Sequence, residues 1–569
     1  MSRLKETYDR MYWLLIVIVV IVLVNLAAGI FHTKIDLTED HRYTLTDATH
    51  RIVSEVDAPI FIQVLLEGKF PAEFRRLPTA LRELLVEFKK INGNIQYRFE
   101  DPLAGDQEEV QERLERWAQV GIIPTELNVR DAEGQQRKRI YPFAIFNYGD
   151  RQVAINLLEE NASTSGDVAL NNSITLLEYK FSNAIAKLRA TNKPNILFSA
   201  GHGELSARQT LALEGNLRAF YNTGRVNLDS IYQIPQDISL LIIAKPTRAY
   251  SEKNLFVLDQ FIMNGGNVMF LLDPLIANLD SIRVNGEYLP HDNDVSLDPL
   301  LFKYGARVNK NFVLDLQCTA IPLAINRPGG NAKFNLFQWY YHILAEGTGS
   351  HPIVKGLDPV NLKFPATIDT IKTSKSIKKT PLLQSSPYSR LQVNPVLLDF
   401  EILKTEPDQS KFQAGRQTVA VLLEGSFESA YKNRLSADMM VGLEQIGAAF
   451  VEEGDPARIL VVSDGDIARN SVDPTSGEIR DLGFNEYVNY TFANKEFLTN
   501  SVEYMLDRIG LSEARAKTIK LRLLDQQKIQ EEKLFWQIIN VLLPLLLLLG
   551  AGLVFNYLRK RRYTKEALS

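Results

Sequence analysis

Cysteine is nearly absent: Cys318 is the only one in 569 residues. One thiol closes no disulfide within the chain, so hydrophobic cores must hold the fold. Cys318 reads as a small apolar filler or as a nucleophile, and no base near it in sequence supports the second. Other chemistry is missing too. There is no Gly-x-Ser-x-Gly nucleophile elbow. There is no Walker motif, and no lysine follows Gly265-Gly266, so ATP hydrolysis by a P-loop is excluded. No His-x-x-x-His or cysteine pair offers metal-ligand spacing. Basic charge is not in excess: 64 Lys and Arg against 68 Asp and Glu leave a net charge of −4. That balance argues against nucleic acid as a partner.

Long apolar runs are missing from the interior and confined to the two ends. Residues 11–31 (MYWLLIVIVVIVLVNLAAGIF) and 534–558 (LFWQIINVLLPLLLLLGAGLVFNYL) are each uncharged. About 20 such residues cross a bilayer as a helix. The flanks are basic: Arg3, Lys5 and Arg10 precede the first run, and Arg559, Lys560, Arg561, Arg562 and Lys565 follow the second. Basic flanks stay cytoplasmic. The expectation is two transmembrane helices, cytoplasmic tails at 1–10 and 559–569, and one large periplasmic body between them. A cleaved signal peptide is the rival for the first run, but that run is long for an h-region. Leu26 would also occupy the −3 position, where a small residue is favoured.

The body reads as α/β. Residues 59–66 form a strand candidate, 74–91 carry a helical apolar stripe, and 95–100 alternate like a strand. A polar helix is expected at 107–120. Strands follow at 127–129, 139–147 and 151–157, the last two joined by Tyr148-Gly149-Asp150 as a hairpin. The order within 32–160 resembles a thioredoxin-like domain without its Cys-x-x-Cys. Residues 161–172 are small and polar and read as a linker, and 174–190 as a helix.

A second domain is expected over 173–510. Continuous apolar strands at 195–199, 238–244, 267–272 and 457–463 alternate with helices at 206–221, 251–264 and 494–507. Such strands are covered on both faces, which argues a parallel, doubly wound sheet. An insertion of mixed character is expected near 275–450, with strands at 312–316 and 395–403 and a loop at 370–389. Residues 511–533 read as a helical stalk or as a solvated linker.

Ligands in such sheets bind beyond the carboxyl ends of the strands. Those ends carry Ser199, His202 and Glu204, then Asp273, then Asp464 and Asp466. This is the candidate cleft. It could serve acid–base chemistry, bind a ligand without catalysis, or consist only of turn and cap residues.

The motif order resembles the GldG family. It includes IDLT (35–38), RYTLT (42–46), LFSAGHGE (197–204), FIMNGGNVMFLLD (261–273) and VVSDGD (461–466) with the helix at 494–506. Arg522, Phe535-Trp536, Pro544 and Arg559–Arg562 close the pattern. The resemblance covers nearly the whole chain. It implies a non-catalytic auxiliary component of an ABC transporter of Bacteroidota, linked to gliding motility and type IX secretion. It also implies a GldF-like permease and a GldA-like cytoplasmic ATPase as partners, with inner-membrane lipids and periplasmic envelope proteins as further contacts. The second domain is expected to look like the class I glutamine amidotransferase fold without its cysteine nucleophile, and no cofactor is implied. A membrane-tethered glycan- or peptide-binding module and a periplasmic hydrolase are the alternatives.

Overall fold

A computed structural model describes residues 12, 13, 15–23, 44–68, 70, 74–131, 134–159, 166–190, 192–325, 333–404, 406–436, 440–443, 447, 449–473, 475–507, 509–517 and 526–566. The chain divides into two compact units, Met1–Thr518 and Ile519–Ser569.

In the larger unit, helix α1 (Asp47–Ser54) starts at Thr46, whose hydroxyl accepts the Thr49 N–H. Strand β1 (Ile60–Val64), helix α2 (Arg76–Ile91) and strand β2 (Ile95–Phe99) form a parallel βαβ unit. The α2 stripe of Leu77, Leu81, Leu85 and Phe88 is buried. Helix α3 (Gln107–Gln119) follows, then a hairpin of β3 (Thr125–Asp131) and β4 (Gly134–Ile140). Strands β5 (Phe143–Tyr148) and β6 (Arg151–Asn156) turn at Gly149-Asp150 as expected. Gly149 there takes φ +56°, a region costly for other residues. The sheet order is β2-β1-β5-β6, with β5 antiparallel to β1.

Helix α4 (Gly166–Arg189) departs from the expected linker at 161–172, because it begins eight residues before 174. Small polar residues hid the pattern. Leu170, Leu177, Phe181, Ile185 and Leu188 recur at helical spacing and are buried with the first sheet's core.

A ten-stranded sheet dominates the rest, with five two-stranded sheets beside it among the described residues. Its parallel part uses β7 (Asn195–Ala200), β8 (Asn222–Asn227), β9 (Ile238–Ala244), β10 (Asn267–Leu271) and, later in the chain, Glu453–Val462. Helices α5 (Leu211–Arg218) and α6 (Glu252–Met263) connect them. Further strands β11 (Cys318–Ile325), β12 (Lys333–Gly347), β13 (Val360–Lys363), β14 (Lys378–Gln384) and β15 (Thr418–Glu428) precede β16, the Glu453–Val462 strand. The order is β11-β12-β14-β15-β16-β10-β9-β7-β8, with β13 on β12. Neighbours from β8 to β16 are parallel, and the extension from β16 through β15 to β11 is antiparallel. The parallel-sheet expectation therefore holds for the four strands it named, β7, β9, β10 and β16; β8 is a fifth parallel strand it did not include, and the parallel order stops where β15 pairs. In the central strands, successive side chains alternate between two cores. Leu241, Ile243, Phe270 and Val461 face one, and Leu240, Ile242, Leu271 and Val462 the other. Helix α7 (Asn494–Leu506) covers the second.

Three local expectations fail. Residues 206–210 form a turn rather than helix, and the helix begins at Leu211; the Gln209 side chain accepts the Ser206 N–H at 2.9 Å within that turn. The expected loop at 370–389 contains β14, whose Leu382 and Leu383 are fully buried despite polar neighbours. The expected strand at 395–403 pairs only over Leu398–Asp399 before a 3₁₀ turn at Glu401–Leu403, where Asp399 accepts the Glu401 N–H.

The smaller unit is one helix, α8 (Gln526–Glu566), which takes in residues 526–533 of the expected stalk. Within it Glu531–Arg561 is long and apolar enough to cross a membrane, with a mean hydropathy of 2.6 over its most apolar window. Among the described residues it is the one helix that passes that test, so two transmembrane helices reduce here to one candidate. Residues 12, 13 and 15–23 of the first run are helical, and the remainder of 11–31 lies outside the described residues.

Candidate functional site

The six candidate residues all lie at the carboxyl ends of parallel strands, but their side chains gather in two networks. The first is local to the turn after β7. Ser199 Oγ donates to Glu204 Oε1 at 2.6 Å and the His202 N–H to Oε2 at 2.6 Å. Tyr250 OH donates to Oε1 at 2.9 Å. The His202 ring stacks on Tyr250 with centroids 3.8 Å apart. Its Nε2 lies 2.9 Å from Asn254 Nδ2. The His202 carbonyl accepts the N–H groups of Thr247 and Arg248. Gly201 and Gly203 take φ +110° and +76°, which lets the turn reverse. A Cβ on Gly203 would collide with Thr247 Oγ1. Burial pushes the Glu204 carboxyl up, but donors from His202, Ser199 and the backbone outweigh it and hold it at about 2. It is a fully engaged carboxylate.

The second network centres on Lys245, which follows β9 with φ +53°. Its ammonium lies 2.8 Å from Asp273 and 2.6 Å from Asp466. Asp273 also accepts the Gly465 N–H. Asp464 accepts N–H groups from Lys363 at 2.7 Å and Asp466 at 2.8 Å. Burial, with Asp273 and Asp466 beside it, raises Asp464 to about 8. Lys245, like the candidate acids, ends a strand, yet sequence reasoning passed over it because no motif marks it. No hydrogen bond or ion pair of Ser199, His202 or Glu204 reaches Lys245 or the three aspartates.

Two cavities lie away from both networks. One of about 560 Å³ opens at the amino ends of the strands, among Gln236, Ser239, Phe261, Asn267 and Arg458. A second of about 540 Å³ lies between α4 and α7. Its wall holds a buried carboxylate, Glu503, contacted by Lys187 and Tyr179 and by Asn183 at 3.3 Å. Burial raises Glu503, but Lys187, Tyr179 and Arg515 outweigh it and the net shift is downward. This clamp was not legible in sequence, since its partners lie more than three hundred residues apart.

Burial, then Asp315, pushes the Cys318 thiol up to about 12. Such a thiol is no nucleophile at neutral pH. Among the described residues no cluster of His, Cys, Asp and Glu could hold a metal ion.

A family described as a domain of unknown function, DUF7088, matches residues 39–147. No curated protein matches. A solved chain titled mmIFT52 N-terminal domain is 13% identical, and the alignment covers 58% of this chain and 100% of that one. Its TM-score of 0.30 carries no argument. The family of auxiliary components described as an ABC-type uncharacterized transport system matches residues 193–501, more than half of the 569-residue chain. The chain belongs to this ABC transporter auxiliary family.

Proposed function

We propose that the chain is a non-catalytic, membrane-anchored auxiliary subunit of the GldG kind. It works beside a GldF-like permease and a GldA-like ATPase, in gliding motility and type IX secretion. Both terminal apolar runs cross the inner membrane, both tails are cytoplasmic, and the body is periplasmic. The observation that carries the reading is the match over residues 193–501 joined to an apolar C-terminal helix. Several features support its parts. The β2-β1-β5-β6 order suits a thioredoxin-like first domain. The five parallel strands run 2-1-3-4-5 by chain appearance, which suits a flavodoxin-like, amidotransferase-like second domain. Internal bonding of the strand-end acids and the raised Cys318 thiol suit a non-catalytic role. Affinity purification of the intact chain in mild detergent tests the reading. A permease and an ATPase in fixed ratio are expected with it; their absence from a stable preparation contradicts it.

A second reading, ligand binding at the carboxyl edge, is favoured by Asn254 Oδ1, which is buried without a hydrogen-bond partner. Alanine at His202, Glu204 and Asp464 should abolish binding of a glycan or peptide probe in variants whose circular dichroism still matches the wild-type fold. Binding unchanged in all three variants ends that reading.

A further inference from the structure

After α7 the chain turns back over the first sheet. Leu511 and Ala514 are buried in that sheet's core, with residues of α1, α2 and α4. Arg51 donates to the Ile509 carbonyl at 3.0 Å. Lys517 closes the other end at a junction with Glu178, a carboxylate on α4 that is 7% exposed. Lys517 Nζ pairs with Glu178 Oε2 at 3.0 Å and donates to the Thr44 carbonyl at 2.6 Å. Glu178 Oε1 accepts the Thr46 N–H at 2.7 Å. Residues 509–517 are thus pinned at both ends. Ile509, Leu511, Ser512 and Arg515 form one wall of the cavity of about 540 Å³ between α4 and α7. Small-ligand pockets have volumes of roughly 300–1,000 Å³.

The cavity wall holds donors with nothing to bond. The Arg515 guanidinium stacks on the Tyr179 ring, 5.0 Å from its centre, and its Nε is buried without a hydrogen-bond partner. Tyr221 lines the cavity at 8% exposure, and its hydroxyl makes no hydrogen bond among the described residues. Burial, then Glu503 and Asp507, push that hydroxyl up, so it stays protonated and able to donate. The acids of the wall are already engaged. Glu503 is held by Lys187, Tyr179 and Asn183. Asp507 accepts the N–H groups of Ile509, Gly510 and Ser512. Asp237 accepts Asn195 Nδ2 at 2.7 Å. A second cation stands near Arg515. Burial, then Arg515, lowers the Lys355 ammonium to about 8, and Lys355 donates to the Lys517 carbonyl. Two like charges in half-buried surroundings repel, and an anion between them removes that cost.

We propose that this cavity binds an oxyanion carried on an apolar body, a carboxylate or a phosphate monoester, with Arg515 Nε and the Tyr221 hydroxyl as its donors. Ala186, Ala190, Leu506 and Leu511 supply the apolar surface for the rest of the ligand. Arginine suits such a group because its N–H donors match the geometry of carboxylate and phosphate oxygens. The site is distinct from the carboxyl-edge residues. Pro194 and Asp237 on its wall precede β7 and β9, whereas His202 and Lys245 follow them. A ligand held there bridges α4, α7 and residues 509–517, and so ties the first sheet's core to the second domain.

The test titrates the full chain in lipid nanodiscs with phenylacetate, with phenyl phosphate and with the neutral phenylacetamide, and subtracts binding to empty nanodiscs. At least one anion should bind roughly tenfold tighter than the amide, as a charge-assisted hydrogen bond predicts. Which anion binds tighter separates a carboxylate ligand from a phosphate. The bound anion should slow hydrogen exchange at least threefold over 179–189 and 509–517, with residues 267–271 unchanged. Arg515→Gln should weaken the anion roughly tenfold while circular dichroism stays that of the wild type. Tyr221→Phe keeps the ring and should weaken it about threefold, which keeps the site testable where Arg515→Gln fails to fold. An amide that binds as tightly as the anions, no binding by any probe, exchange unchanged at both segments, or affinity unchanged in the folded variants overturns the proposal.

Discussion

Removing the ammonium of Lys187 should loosen the α4–α7 clamp more than any surface change on either helix. Lys187 and Glu503 are 16% and 12% exposed, so solvent screens their pairing weakly. Breaking such a pair from one side leaves an uncompensated buried charge and costs about 3–5 kcal/mol. In Lys187→Met, Tyr179 and Asn183 still donate to Glu503, which places the loss near the lower end, about 3 kcal/mol. The ammonium also lies 4.0 Å from the centre of the Phe220 ring, a contact worth about 0.5–2 kcal/mol that methionine replaces only in part. A loss of about 3 kcal/mol raises the population of locally opened states roughly a hundredfold. Hydrogen exchange of the detergent-solubilised chain, read over 179–189 and 497–506, measures it. The double variant Lys187→Met/Glu503→Gln removes both charges and should recover most of the loss. The pH dependence has a fixed sign. The folded carboxyl of Glu503 titrates below its ordinary value. Its contribution is present above the usual carboxylate range and disappears as pH falls through the lowered folded value. Exchange within threefold of wild type in the single variant, or a double variant as loose as the single, would refute the clamp.

Glu204→Gln should lower the melting temperature at pH 7 but not near pH 2. The folded carboxyl titrates at about 2 against an ordinary 4.5. A shift of that size corresponds to about 3 kcal/mol. That stability is present above about 4.5 and is lost as pH falls toward 2, so wild-type and variant melting curves should converge there. Lys245→Met leaves Asp273 without a cation and Asp466 with Arg469 at 3.2 Å. It should cost about 3–5 kcal/mol at neutral pH by chemical denaturation, with most of that regained when both aspartates are also changed to asparagine. Cys318 should react with iodoacetamide at pH 8 far more slowly than a free thiol. Its rise from 9.0 to about 12 leaves roughly a thousandfold less thiolate, and unfolding should restore ordinary reactivity.

Period and burial made the central strands legible. ISLLIIA (238–244), NVMFL (267–271) and ILVV (459–462) are apolar at successive positions because both faces of the sheet are covered. The β5–β6 hairpin was legible because Gly149 supplies its turn. Composition misled where a few buried residues outweigh many polar ones: Leu170 carries the start of α4, and Leu382 and Leu383 carry β14. The strand-end residues were found in sequence, but their division into two networks was not. Which acid faces Lys245 and which faces Tyr250 depends on how β7, β9, β10 and β16 lie side by side. The Glu178 junction and the Glu503 clamp were out of reach for a similar reason. Each joins residues from far parts of the chain with no local periodicity between them.

Native mass spectrometry of the chain, extracted from its own membranes in mild detergent, weighs the auxiliary-subunit assignment directly. A particle heavier than 64.4 kDa by the masses of a permease and an ATPase is expected. A homogeneous species of 64.4 kDa, from membranes in which permease and ATPase assemble without it, would contradict the assignment.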